Sequence, residues 1–192
     1  LPETPLSPGD TAALSVNARY LFGAPATGLG VEGRVRVSPA DSLEDWPGYR
    51  FGLHDEAGAP RTLWLPQGTQ TGDDGTATVA AEIPALDGPP RPAEAEFVVS
   101  VTEGSGRPVE EVLTRPIAAT GPLVGIRPLF DGVVEEGGEA RFRLIGVGAD
   151  GTADPMRLGW TVNRVETRYQ WYQLYGNWSW EPVTSRTRVA GG

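Results

Sequence analysis

The sequence predicts an all-β fold made of short antiparallel strands, and three observations support this prediction. The 192 residues include 26 glycines and 18 prolines, which disfavours long helices and is typical of many strands joined by turns. Segments with apolar residues at every second position recur along the chain, and turn-forming residues separate them. The length suits one large domain or two modules of roughly 100 residues each.

The first 118 residues contain seven strand-like segments, which is the strand count of an immunoglobulin-like sandwich. In Val31–Val37 three valines and a glycine share one face, and Glu32, Arg34 and Arg36 share the other, as expected of a half-buried strand. Gly104-Ser105-Gly106 predicts a hairpin between the last two segments. The seven segments are Ala12–Phe22, Val31–Val37, Tyr49–Leu53, Thr62–Leu65, Thr76–Ile83, Ala95–Thr102 and Val109–Ile117.

The pattern restarts after Thr120-Gly121-Pro122, which we interpret as the boundary between two consecutive sandwich modules, residues 1–120 and 121–192. Only about four or five strands fit into the second module. It is two or three strands short of a sandwich, so we expect it to be incomplete at its C-terminal end and to carry an unpaired edge. Its strand-like segments are Leu123–Phe130, Glu139–Gly146, Arg157–Tyr175 and Trp178–Val189.

The last two segments predict an aromatic hairpin. In Tyr175-Gly176-Asn177-Trp178, two turn-forming residues lie between two strands, which is typical of a two-residue loop. If Tyr175 pairs with Trp178, then Trp171 pairs with Pro182, and one face is aromatic while the other is largely polar. The residues predicted to share the aromatic face are Tyr169, Trp171, Tyr175, Trp178 and Trp180.

This aromatic face has two competing interpretations. Exposed rings in a flat row are how carbohydrate-binding modules stack on sugars, which gives a glycan-binding or adhesive function to Trp171, Trp178 and Trp180. Alternatively, the rings cover a core or dock on a neighbouring module, since each large aromatic buries about 150 Å² or more at roughly 25 cal/mol per Å². We favour module packing and keep glycan binding as the alternative.

Composition excludes several classes of partner and chemistry. The formal net charge is −9, and all 16 basic residues are arginines that form no basic stripe, so no nucleic-acid partner is expected. The absence of lysine and cysteine excludes Schiff-base chemistry, a cysteine nucleophile, disulfides and thiolate metal sites. No apolar run approaches the roughly 18 residues of a membrane span, so no membrane contact by this segment is expected. The chain begins at Leu1 instead of methionine and opens with a proline- and glycine-rich stretch, and we interpret it as a cut from a longer precursor.

The run Gly146-Val147-Gly148-Ala149-Asp150-Gly151 matches the glycine pattern of dinucleotide-binding sites. Such a site needs a helix whose N-terminus meets the pyrophosphate, and Thr152–Pro155 predicts no helix. We therefore interpret Asp150-Gly151 as a β-turn and expect no cofactor.

The other candidates for catalysis are equally weak. His54 is the only histidine, but no serine lies in a G-x-S-x-G pattern that would complete a triad with it. Paired acidic residues could serve a glycosidase only if a cleft held them at the right separation, and Asp73-Asp74-Gly75 lacks the spaced acidic ladder of a calcium loop. We assign no catalytic or metal-binding residue, and an enzymatic function remains a third alternative. The acidic pairs are Glu44-Asp45, Asp73-Asp74, Glu110-Glu111 and Glu135-Glu136.

Two stretches resemble one protein family. The run from Ala18 to Ala26, followed by Gly28, Val31 and Gly33, resembles the strand-turn-strand opening of a macroglobulin module in bacterial alpha-2-macroglobulins. The second stretch is similar to the aromatic hairpin of the next module in those proteins, in order and in spacing. Its parts are Trp160–Val165, Tyr169–Tyr172 and Trp178–Val183.

The resemblance covers nearly the whole chain and implies two macroglobulin-type sandwiches that form a non-catalytic scaffold without cofactors. Proteins of this family are large protease traps in which a bait segment is cleaved, the molecule rearranges and, in many members, a Cys-Gln thioester bonds to the protease. The implied partners are neighbouring modules of the same parent chain and, through the parent, target proteases. The implied location is the periplasm or the extracellular space, with a parent that is often lipid-anchored. This chain contains no cysteine, so the thioester is not among its residues.

Overall fold

The computed structural model describes residues 4–53, 58–103 and 106–192, and every regular element in these ranges is a β-strand. The prediction of an all-β fold is therefore confirmed. The described ranges contain no helix long and apolar enough to cross a membrane. Two compact units can be distinguished, Leu1–Pro155 and Met156–Gly192. The strands are β1 (Thr11–Asn17), β2 (Gly30–Pro39), β3 (Arg50–Phe51), β4 (Arg61–Trp64), β5 (Thr69–Gln70), β6 (Thr76–Glu82), β7 (Ala93–Thr102), β8 (Val109–Ile117), β9 (Leu123–Pro128), β10 (Phe142–Val147), β11 (Thr161–Leu174) and β12 (Asn177–Gly191).

The main core of the first unit lies between two antiparallel sheets. One sheet pairs β1 with β6, and the other has the order β4–β2–β7–β8, with β5 pairing with β2. Leu14 and Val79 from the first sheet and Val35 and Phe97 from the second belong to one buried cluster. Burying each such side chain contributes about 1.5–3 kcal/mol, so this layer is the principal source of stability in the unit. The predicted inner face of β2 is confirmed, since its three valines are each 1% exposed.

Several predicted strand limits need correction. The segment Ala12–Phe22 was expected to be one strand, but β1 ends at Asn17. A tight turn follows, in which the Gly23 amide donates to the Tyr20 carbonyl (2.8 Å) and the Tyr20 amide donates to the Ala24 carbonyl (2.9 Å). The short strand β5 lies in a segment predicted to be a loop. The predicted pairing of β7 with β8 is confirmed, although Gly104 and Ser105 of their connection lie outside the described residues.

A third sheet joins residues from both sides of the predicted boundary. Tyr49–Leu53 was predicted to be a strand of the first sandwich, but β3 pairs instead with β9, which pairs with β10 on its other edge. A second buried cluster lies on this sheet and consists of Tyr49, Phe51, Leu123 and Val147. We call this sheet and its cluster the junction. Whether residue 120 separates two independently folding domains stays a prediction.

Two residues of the junction fix its geometry. A Cβ atom on Gly125 would lie 2.7 Å from the Phe51 ring and 3.0 Å from a methyl group of Ile145, so glycine lets the ring lie against β9. Trp46 packs edge-to-face on Tyr49, and its indole N–H donates to the Gly151 carbonyl at 3.0 Å. The loop that precedes β3 is thereby tied to the turn that follows β10.

The predicted turn at Asp150-Gly151 is confirmed, and a second turn has the same design. In Gly148–Thr152 the Gly151 amide donates to the Gly148 carbonyl (3.0 Å), and the Asp150 carboxylate accepts bonds from the amide and the hydroxyl of Thr152. The turn before β6, Gly72–Thr76, repeats this pattern with Asp74 and Thr76. The glycine pattern of a dinucleotide site is therefore a turn that satisfies its own polar groups.

Gly33 provides a direct test of the close packing of the first sandwich. A Cβ atom on Gly33 would collide with the carbonyl oxygen of Val98 on the neighbouring strand, which is backbone and cannot rotate away. Gly33→Ala is expected to destabilise the chain by about 1–3 kcal/mol, the usual cost of overpacking. Gly30→Ala, on the same strand with open space around the glycine, is the matched control. Urea unfolding of both variants checks this, and equal midpoints would contradict it.

The paired turns predict a dependence of stability on pH. The Thr76 hydroxyl and amide lower the pKa of Asp74 from its ordinary value, and the Thr152 amide and hydroxyl lower the pKa of Asp150. A carboxylate whose pKa is lower in the folded chain stabilises the fold above the unfolded pKa of about 3.9, and this stabilisation disappears as the pH falls through the folded pKa. The stability difference between wild type and Asp74→Asn should therefore shrink when urea unfolding is repeated below about pH 4.

Asp131→Asn serves as the charge-matched control, because Asp131 lies outside both turns. Its difference from wild type should change less over the same pH range. A difference for Asp74→Asn that stays constant from neutral pH to about pH 3 would show that the turn carboxylate does not stabilise the fold in its ionised form.

Candidate functional site: the aromatic hairpin

The strands β11 and β12 form a long two-stranded antiparallel ribbon that contains the predicted aromatic residues. Its loop consists of Tyr175 and Gly176, whose φ angles of 50° and 85° are both left-handed, as a type I′ hairpin turn requires. The predicted loop, Gly176-Asn177, is therefore wrong by one residue. Asn177 instead begins β12 and pairs with Leu174.

The correction to the loop changes the pairing but keeps the faces. Trp171 pairs with Trp180, and the predicted pairing of Trp171 with Pro182 is wrong. The shift is two residues, and because side chains alternate with a period of two, it leaves each residue on its predicted face. Tyr169, Trp171, Trp178 and Trp180 consequently share one face of the ribbon. Tyr175 does not join them, since it lies in the loop and is 97% exposed.

The four rings on this aromatic face are between 56% and 68% exposed. Tyr169 and Trp180 contact each other edge-to-face, with ring centroids 5.2 Å apart and planes at 76°. Every residue of β12 is exposed. A two-stranded hairpin by itself is marginally stable in water. Covering the four exposed rings with another surface would therefore stabilise this ribbon.

The opposite face of the ribbon is polar. Glu166 forms ion pairs with Arg164 (3.0 Å) and Arg168 (3.8 Å), and Gln170 pairs with Glu181. These ion pairs lie at the surface, where such pairs contribute little to stability. The ribbon is therefore amphipathic across its two faces, and the aromatic face is the one suited to burial.

The remaining candidate residues do not assemble into a site within the described part of the chain. His54 lies outside the described residues, so its role in a triad stays untested. Among the residues that the structure describes, no three histidine or carboxylate side chains come together as metal ligands. The Asp74 carboxylate accepts hydrogen bonds from Thr76 within its own turn. Glu110 and Glu111 lie at adjacent positions of β8, so their side chains point to opposite faces of the sheet.

Two family profiles match the sequence. The profile described as "Bacterial Alpha-2-macroglobulin MG5 domain" matches residues 1–119, and "Bacterial macroglobulin domain 6" matches residues 125–192.

The chain belongs to the bacterial alpha-2-macroglobulin family.

The family predicted from the sequence motifs is thereby confirmed. The limits of the two profiles lie on either side of Thr120-Gly121-Pro122. The junction therefore joins β3, from the part that matches macroglobulin domain 5, to β9 and β10, which the domain 6 profile covers almost completely.

Named relatives agree with this assignment. Alpha-2-macroglobulin of Xylella fastidiosa (strain Temecula1) is 33% identical over 178 residues, which cover 88% of this chain and 10% of the relative. Alpha-2-macroglobulin of Escherichia coli (strain K12) is 29% identical over 194 residues, which cover 93% of this chain and 11% of the relative. The chain thus spans about a tenth of the length of the relatives it matches.

Solved structures give the same result. The native conformation of Escherichia coli alpha-2-macroglobulin superposes with a TM-score of 0.70 at 25% identity and covers all of this chain and 13% of that chain. The Escherichia coli protein activated by porcine elastase has a TM-score of 0.66 at 27% identity, covering 98% of this chain and 17% of that chain. A Salmonella alpha-2-macroglobulin reacted with methylamine has a TM-score of 0.73 at 24% identity, which supports the fold alone.

The sequence patterns did not predict the junction. Leu43 and Trp46 lie in the loop predicted between the strands Val31–Val37 and Tyr49–Leu53. Both pack on the buried cluster around Phe51. The signal that was available is the presence of two large apolar residues within a polar, proline- and glycine-containing loop. Such residues cost free energy when exposed, so they indicate that a loop is covered by another part of the chain.

Proposed function

We propose that this chain is a non-catalytic scaffold segment of a large exported bacterial alpha-2-macroglobulin that traps and inhibits proteases. The family's parent proteins would work in the periplasm or the extracellular space, and a lipid anchor would lie elsewhere in the parent. The segment would contribute geometry: it would hold neighbouring modules in position until cleavage of a bait segment changes their arrangement. Its partners would be those modules directly and the target protease only through the parent.

The junction is the observation that supports this proposal. A linker between two domains that merely follow each other would leave them free to reorient, because few contacts would cross the boundary. Here a strand preceding the boundary hydrogen-bonds to β9, and Phe51 is buried against Gly125 and Leu123. A sheet and a buried cluster shared across the boundary can transmit a displacement as a rigid body, which is what a scaffold in a protease trap requires.

The junction can be tested in the parent protein with Phe51→Ala. Removing the ring from the small cluster should cost about 3–5 kcal/mol and loosen β3 from β9. We expect the variant parent to be cleaved by proteases such as trypsin or elastase as readily as wild type, but to retain less of the cleaved protease in a trapped form. Gel filtration and the residual activity of the protease on a large protein substrate measure retention.

Phe22→Ala is the matched control, since Phe22 is an exposed residue of the turn after β1. The Phe22→Ala parent should retain as much trapped protease as wild type does. Full trapping by Phe51→Ala, with hydrogen exchange showing that β9 has lost protection, would contradict a role for the junction. A protease-independent catalytic activity of the 192-residue chain would contradict the non-catalytic part of the proposal.

The aromatic face of the ribbon would dock on a neighbouring module of the same parent. Its four exposed rings and its polar opposite face support this role. Glycan binding is the second candidate, favoured by the same exposure. The edge-to-face arrangement of Tyr169 and Trp180 is unsuited to the flat platform on which sugar rings stack.

Replacing Trp171 and Trp180 by serine distinguishes the two roles. In the parent, Trp171→Ser with Trp180→Ser should lower the thermal midpoint and increase proteolysis of the ribbon, because the docked apolar area is lost. The control pair, Tyr172→Ser with Val183→Ser on the polar face, should change both readouts less. An unchanged parent, together with loss of binding to a glycan array that wild type recognises, would replace module docking by glycan binding.

A further inference from the structure

The first sandwich is open along one side. A groove of about 470 Å³ lies between its two sheets, bordered by β1 on one side and by β8 on the other. Its floor is formed by Phe97, Val99 and Val101 of β7, and its walls include Leu14 and Val16 of β1. All of these side chains point into the sandwich, where residues are normally covered by the opposite sheet.

The side chains around the groove are less buried than those elsewhere on the same inner face of the sheet. Val99 and Val101 are only half-buried, whereas Val31 and Val35, on the inner face of the adjacent strand β2, are almost fully buried. Leu113 of β8 packs on the same core and is also half-buried. Within the described residues, the groove is therefore a partly uncovered region of the core, and its floor is apolar.

The two strands that border the groove both present unpaired backbone edges. Within the described ranges, β1 pairs with β6 on one side only, and β8 pairs with β7 on one side only apart from a single bridge. Unpaired edges of this kind accept an added strand, whose main-chain hydrogen bonds supply affinity and whose alternate side chains fill the space beneath.

The single bridge on β8 shows that an extended segment already occupies one end of this position. Leu6 lies parallel to Ile117, its amide donates to the Pro116 carbonyl (3.0 Å), and its carbonyl accepts from the Ala118 amide (2.8 Å). Leu6 is buried in the main core. The strand position beside β8 continues from this bridge toward Leu113 and Val109, which line the groove.

We propose that an extended segment of the parent protein, from outside these 192 residues and apolar at alternate positions, inserts into this groove as an added strand. The chain spans about a tenth of the length of its relatives, so a parent of similar size supplies many segments that could reach it. Six extended residues would point three side chains at the floor, since alternate residues face opposite sides. Arg19, Arg107, Glu103 and Glu111 border the groove with charges of both signs and would contact the polar side of the strand.

Site-specific labelling tests this insertion, because the chain contains no cysteine of its own. Leu113→Cys faces the groove, and Val112→Cys, its neighbour on β8, faces outward and is the matched control. Maleimide labelling is followed by mass spectrometry of the peptide that carries each cysteine, in the 192-residue chain and in the full-length parent. We expect labelling of Leu113→Cys to be about tenfold slower or more in the parent, and labelling of Val112→Cys to change much less.

Three results would overturn the insertion. Equal labelling rates at Leu113→Cys in the chain and the parent would show that the groove stays open. Equal slowing at both cysteines would show that a neighbouring module covers this edge from outside. A concentration-dependent dimer of the chain that protects Leu113→Cys would show that a second copy occupies the groove. Val101→Cys, on the floor of the groove, provides a second variant if Leu113→Cys does not fold.

The occupant itself can be identified by cross-linking. A benzophenone-maleimide attached at Leu113→Cys is irradiated in the parent, and the cross-linked peptide is sequenced by mass spectrometry. A peptide from outside the 192 residues, with apolar residues at alternate positions, is the expected result, and serine at those positions should restore fast labelling. A cross-link confined to peptides of these 192 residues would contradict the proposal and would leave the proposed scaffold function untouched.

Discussion

The contact between the Phe51 ring and Gly125 joins the residues before position 120 to those after it. The ring needs the space that a Cβ atom on Gly125 would occupy, and in return it covers Leu123 and Val147 from water. Because the contact is made by a strand of only two residues, β3, the hydrogen bonds to β9 alone would be too few to hold it. The apolar cluster and the bond from Trp46 to Gly151 supply the rest. The residues before position 120 are therefore held to those after it by packing as well as by chain connectivity.

The ribbon is stabilised on a different principle. Its strands, β11 and β12, are each longer than any other strand in the chain, yet every residue of β12 is exposed. Backbone pairing fixes its register, and the alternation of aromatic and charged residues assigns its faces. Trp171 and Trp180 remain 68% and 56% exposed in the structure. Hydrophobic burial is the largest favourable term in folding, so a surface that covered these rings would add stability to the ribbon.

The sequence was informative wherever local patterning and burial agree. The valines of β2 alternate with charged residues, and a strand with one buried face has no other way to arrange them. The turns at Asp74 and Asp150 follow from short-range hydrogen bonds that five residues can make alone. The partner of β3 could not be predicted, because a two-residue strand carries no pattern and its place depends on Trp46 and Gly125. The loop of the hairpin was misplaced because tyrosine rarely adopts the left-handed conformation that Tyr175 has.

The observed register of the hairpin differs from the predicted one by two residues. A shift of two residues changes every cross-strand pair, yet it leaves the aromatic and polar faces as predicted, since alternate residues return to the same side. Properties that depend on a face, such as docking, are therefore robust to this kind of error, whereas properties that depend on a pair are not. Tyr175 is the exception, because it lies in the hairpin loop and not in a strand. The groove beside β1 depends on a face in the same way, because strand alternation places Phe97, Val99 and Val101 of β7 together on its floor.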